Sequence, residues 1–167
     1  AILRSLGERI MRTRKLRLVA VSTAAIFCLG TTSAMADDAA DVIAAAKAQW
    51  AAGISMASAA KQMESVADDY TEFNPAYPTR LDGKALSMTL AEAALKDGAR
   101  TIASDMANEK VQIYGNTAIL TYNYIGVGQS KDGQNEPIAA KSTRVYVKQN
   151  GKWMLVHANF APVAMPE

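Results

Sequence analysis

The sequence predicts an α+β domain whose N-terminal helices pack on an antiparallel sheet. Helical periodicity fills the first half of the chain after a leader, strand patterning fills the second, and the two do not alternate as βαβ units would. The last thirty residues add a further signal. Two strand-like runs, 142–148 and 152–160, meet across Asn150-Gly151, the strongest short-range mark of a β-hairpin.

The leader comes first. Arg12, Arg14, Lys15 and Arg17 precede an apolar run over 18–29, and small residues follow to Ala34-Met35-Ala36. A basic segment, a short apolar segment and an A-x-A site form the layout of a secretory signal peptide. The apolar run is too short for a membrane span. Residues 1–10 read as an upstream extension before Met11. Cleavage is expected after Ala36, leaving 37–167 as a single domain, periplasmic or secreted and free of the membrane.

Removing the leader reverses the charge. Its 36 residues hold six of the 18 Lys and Arg but one of the 16 Asp and Glu, so the remainder carries a net −3. A mildly acidic domain without a basic run gives nucleic acid no surface to bind. The single cysteine, Cys28, leaves with the leader, and Phe27 before it is too large for a lipoprotein site. The domain therefore has no disulfide and must stand on its core. One histidine and no cysteine argue against a metal centre, and no cofactor is expected.

Within the domain, Val42, Ile43, Ala46, Trp50 and Ile54 recur at helical spacing, with Gly53 as a stop. Ser55 is placed to cap a short second helix running to Met63. Residues 70–74 read as a strand ended by Pro75 and Pro78. A third helix is expected over 84–95, closed by Asp97-Gly98. Strands then follow over 100–107, 110–114 and 117–127, the last two joined across Gly115-Asn116, with another turn at Lys131-Asp132-Gly133 before the terminal hairpin.

A two-residue turn sets the register of that hairpin. It pairs Gln149 with Lys152, Lys148 with Trp153, Tyr146 with Leu155, and Arg144 with His157. One face then carries Arg144, Tyr146, Trp153, Leu155, His157 and Asn159. The other carries Val145, Val147, Met154, Val156 and Phe160 and is apolar. The first face suits the lining of a polar-tipped pocket.

Several segments together resemble a known superfamily. They are Thr71-Glu72-Phe73-Asn74-Pro75, Leu81-Asp82-Gly83, 111–118, Asp132-Gly133-Gln134, Thr143-Arg144-Val145-Tyr146, and Asn150-Gly151-Lys152-Trp153 leading to Val156-His157. The chain is similar over 40–163 to the nuclear transport factor 2-like (SnoaL-like) superfamily, and most of all to the association, or hub, domain of calcium/calmodulin-dependent protein kinase II. The resemblance implies a cone-shaped fold in which a strongly bent sheet wraps helices around a cavity. It also implies self-association, at least to a dimer, through the outer sheet face. It implies no kinase activity. Arg144 matches one of the hub domain's cavity arginines. The acidic position before the proline reads Asn74, and the strand from Tyr122 to Gln129 carries no arginine.

The candidate ligand-binding residues are Arg144, His157, Asn159, Tyr70, Tyr122 and Glu72. An inward Arg144 needs a partner, which a bound carboxylate or Glu72 supplies. Beside that cation, His157 is expected to be neutral. Tyr70, Tyr122 and Tyr124 can offer hydroxyls, as in ketosteroid isomerase relatives, or fill the core with hydroxyls at its rim. Asp68 and Asp69 sit where a general base would precede the first strand, although adjacent carboxylates on a turn are usually solvated. Trp50 and Trp153 are expected in core or cavity wall, and the methionines of the domain as gap-fillers. Three functions remain open at this point. The domain binds a small anionic ligand, performs acid–base chemistry on a small carbonyl compound, or serves only to assemble.

Overall fold

The computed structural model describes residues 30–163. Helix α1 spans Gly30–Ile54, α2 spans Ala59–Gln62 and α3 spans Lys84–Asp97. The strands are β1 Val66–Phe73, β2 Leu81–Asp82, β3 Arg100–Tyr114, β4 Thr117–Gln129, β5 Asn135–Gln149 and β6 Lys152–Pro162. They form a six-stranded sheet in the order β2-β1-β6-β5-β4-β3, antiparallel except where β1 runs parallel to β6. This is the expected α+β class. The signal-peptide reading of residues 1–36 falls on residues 1–29, outside the described residues, and on residues 30–36, which form the first turns of α1 and carry the expected cleavage site.

The inner face of the sheet holds the core. Leu120 and Tyr122 of β4, Tyr146 of β5 and Trp153 and Leu155 of β6 close over Val42 and Ala46 of α1. Val42 and Ala46 are fully buried, so the stripe read from the sequence is the face that docks. Bulges interrupt the ladders between Val66 and Thr71, Thr101 and Ala103, Ala107 and Lys110, and Val145 and Tyr146. Each adds local twist and bends the sheet around α1.

Several boundaries differ from expectation. The two runs expected at 100–107 and 110–114 are one strand, with Asn108 at φ 54° inside a bulge. Asp68 and Asp69 lie within β1, exposed at its bulge, rather than on a turn before it. Ser58, not Ser55, caps α2, accepting from the Lys61 amide at 3.3 Å. Ser55 instead turns back, its hydroxyl donating to the Ala52 carbonyl at 3.1 Å as α1 ends. Met56 follows in the left-handed region at φ 55°, a common way to stop a helix.

The terminal hairpin forms as read as far as Leu155. Asn150 and Gly151 have φ of 51° and 78°, as a type I′ turn requires, and the first three predicted pairs are present. Beyond them Val156 is the extra residue of a bulge. Val145 therefore pairs with His157, and Arg144 with Ala158. That one-residue slip turns His157 and Asn159 to the outer face and brings Phe160 inward.

Candidate functional site

Arg144 sits at the centre of the inner face, 4% exposed. Its Nε donates to the Tyr122 hydroxyl at 3.0 Å and one terminal nitrogen donates to Gln49 Oε1 at 2.6 Å. The same nitrogen stands 3.5 Å from the Tyr146 hydroxyl. The guanidinium carbon lies 5.4 Å from the Trp50 ring centre and 5.7 Å from that of Phe160. Aromatic faces and hydroxyls thus replace part of its lost hydration.

No carboxylate completes the set. Among the described residues none lies within 4 Å of the Arg144 guanidinium. Burial opposes its charge, while the phenol oxygens of Tyr146, Tyr122 and Tyr70 favour it, and the balance holds the group above its ordinary range. It stays a cation. A buried charge without a counter-ion costs several kcal/mol, roughly, so the fold retains a site that stability alone does not favour.

Arg144 lines a cavity of about 350 Å³ with Gln49 and Trp50 of α1, Tyr70 and Glu72 of β1, Asn74, Ser104 of β3, Tyr124 of β4 and Phe160 of β6. Trp50 forms its roof, packed against Tyr122 at 5.5 Å and edge-on to Tyr124 at 5.4 Å. Glu72 is not the partner of Arg144. Its strand is separated from β5 by β6, and its oxygens accept from Tyr70 at 2.6 Å and from Asn74 Nδ2 at 2.7 Å. Burial, together with the charge of Glu72 and the bond to it, raises the Tyr70 pKa. Burial also raises those of Tyr124 and Tyr146, so these phenols remain protonated donors. Ser104 Oγ is buried with no protein partner.

Four expected residues therefore meet: Arg144, Tyr122, Tyr70 and Glu72. Two do not. His157 points outward, its Nδ1 2.8 Å from Thr71 Oγ1 and its ring edge-on to Phe73 at 5.9 Å. Asn159 is exposed opposite Thr143, and only its carbonyl is used, accepting from Ser142 Oγ at 3.1 Å. The sequence reading overlooked Gln49 and Ser104 and put Phe160 on the wrong face. Gln49 had a signal: it continues the stripe of Val42 and Ala46 toward Gly53 and is the polar residue on that stripe.

The same residues match a known family model. Residues 38–164 match the calcium/calmodulin dependent protein kinase II association domain. The chain belongs to this association-domain family. Three solved structures show the likeness of fold. The calcium/calmodulin-dependent kinase II hub homology domain of Chlamydomonas reinhardtii is 22% identical, with 76% of this chain and 99% of that one covered and a TM-score of 0.63. A nuclear transport factor 2-like protein from Novosphingobium aromaticivorans is 13% identical, covering 87% and 94%, with a TM-score of 0.68. A ketosteroid isomerase-like protein from Erwinia carotovora is 18% identical, covering 77% and 98%, with a TM-score of 0.64. No curated protein matches. The association domain thus has the cone-shaped fold of this superfamily.

Among the described residues no three His, Cys, Asp or Glu side chains are grouped to hold a metal ion. None of their helices is long and apolar enough to cross a membrane.

Proposed function

We propose that this association domain is an exported, self-associating binding module whose cavity receives a small anion at Arg144. One observation carries the reading: a cation 4% exposed, in a cavity of about 350 Å³, with no carboxylate of the described residues within 4 Å of it. A bound carboxylate would supply the missing charge in a bidentate pairing suited to a guanidinium. Cavities of this volume fit a small molecule rather than a macromolecule.

Tyr70 and Glu72 form the kind of pair that an acid–base enzyme uses. Here Glu72 already accepts from both Tyr70 and Asn74, and Tyr70 is held protonated. That arrangement supports the cavity wall, and favours a binder over a catalyst.

Self-association fits the outer face, where Ile119, Val145, Val147 and Met154 sit side by side and half-buried. Export rests on the leader. A cut after Ala36 keeps Asp38, which bonds Lys148 of the hairpin, and exported protein should begin at Asp37. An N-terminus far from that residue would count against this boundary.

Calorimetric titration with butyrate tests the anion site. The intact protein should bind with measurable heat, and Arg144→Gln should abolish binding while its circular dichroism stays native. Undiminished binding by the variant would move the site elsewhere.

A further inference from the structure

The Arg144 cavity carries two charges of opposite sign. Of the residues that line it only Arg144 and Glu72 are formally charged, so the lining as a whole is neutral. A simple carboxylate bound there would make the cavity net negative and would stand in the field of Glu72.

Strand register puts the two charges on one row. Arg144 of β5 pairs with Ala158 of β6, and Ala158 pairs in turn with Glu72 of β1. Both ends of the row line the cavity, two strand spacings or roughly 10 Å apart at their Cα atoms. Ala158 between them has no side chain long enough to bridge or screen them.

Neither charge is paired. Among the described residues no carboxylate lies within 4 Å of the guanidinium, and no Lys, Arg or His nitrogen within 4 Å of the Glu72 oxygens. Each also keeps bonding capacity. Gln49 and Tyr122 occupy one terminal nitrogen and Nε of Arg144, and the other terminal nitrogen donates to none of the described residues. Each Glu72 oxygen accepts one hydrogen bond, from Tyr70 or from Asn74, and a carboxylate oxygen can accept two. An unpaired cation and an unpaired anion on one row of one cavity fit a molecule that carries both charges.

Resting on the reading above that a carboxylate meets Arg144, we propose that the ligand is a zwitterionic amino acid whose ammonium group meets Glu72. Such a molecule pairs both side chains and leaves the cavity neutral. A plain carboxylate satisfies Arg144 alone.

Straight-chain ω-amino acids from glycine to 6-aminohexanoate, each titrated by calorimetry against the plain carboxylate of equal carbon count, test this. At the length that spans the two charges, the amino acid should bind at least about tenfold tighter than its matched carboxylate, the gain of one charge-assisted contact. Glu72→Gln should bring the two series to similar affinity. Pentanedioate should bind more weakly than pentanoate, because its second carboxylate meets Glu72. If no amino acid binds tighter than its matched carboxylate, the inference is overturned while the anion site stands. A gain that survives Glu72→Gln, or tighter binding of pentanedioate than of pentanoate, would overturn it as well. If Arg144→Gln bound both series as well as the intact protein does, the anion-site reading itself would fall.

Discussion

At Gly126 the cavity wall depends on a missing methyl group. A Cβ there would stand 2.7 Å from the Tyr124 hydroxyl oxygen, 2.9 Å from its ring and 3.0 Å from the Ala103 carbonyl. The phenol edge-on to Trp50 therefore lies in space that only glycine leaves. Gly126→Ala should displace Tyr124 and lower stability by about 1–3 kcal/mol, read from urea unfolding. An unchanged midpoint would show that Tyr124 moves without cost. Arg144 shows how far a single residue could be read. Alternation from the Asn150-Gly151 turn placed it on the inner face with Tyr146, Trp153 and Leu155, and the structure agrees. Its bonds to Gln49 and Tyr122 could not be read, because they depend on where α1 crosses the sheet. Ser104 carried no signal either, since a serine in a strand looks the same whether its hydroxyl meets water or a cavity.

At the scale of elements, the terminal hairpin and α1 hold each other through Asp38. Its carboxylate bonds Lys148, accepts from Trp153 Nε1 at 3.2 Å, and lies beside a lysine stacked 5.4 Å from the Trp153 ring. The bond to Lys148 outweighs partial desolvation and lowers the Asp38 pKa below 3.8. A carboxylate lowered by folding adds stability above its unfolded value, and that contribution disappears as pH falls through the folded value. Asp38→Asn should therefore lower the melting temperature at pH ~6, and lower it by less at pH ~2. An equal loss at both pH values would mean that shape, not charge, fixes the contact. The bulge at Val156 was the element-level feature that the sequence concealed. Val156 and His157 both suit a half-exposed strand, so nothing in their composition marks the slip. The inward parity of Ala158 and Phe160, against that of Trp153 and Leu155, was the only trace.

Across the whole molecule, helices-then-strands sufficed to read the class, and the resemblance supplied the curvature. The short strand β2 and the parallel pairing of β1 with β6 were not legible, the first because a strand of two residues carries no alternation to read, the second because it joins opposite ends of the domain. The half-buried outer face carries the assembly prediction. Light scattering should give at least a dimer, and Val147→Glu, which places a carboxylate beside Met154, should shift it toward monomer. A monomer at high concentration would contradict that assignment. The central claim is that Arg144 awaits an anion. A crystal structure grown with butyrate tests it most directly. The account predicts both carboxylate oxygens within hydrogen-bond distance of the Arg144 guanidinium. A carboxylate bound elsewhere, with Arg144 contacting only Gln49, Tyr122 and Tyr146, would contradict it.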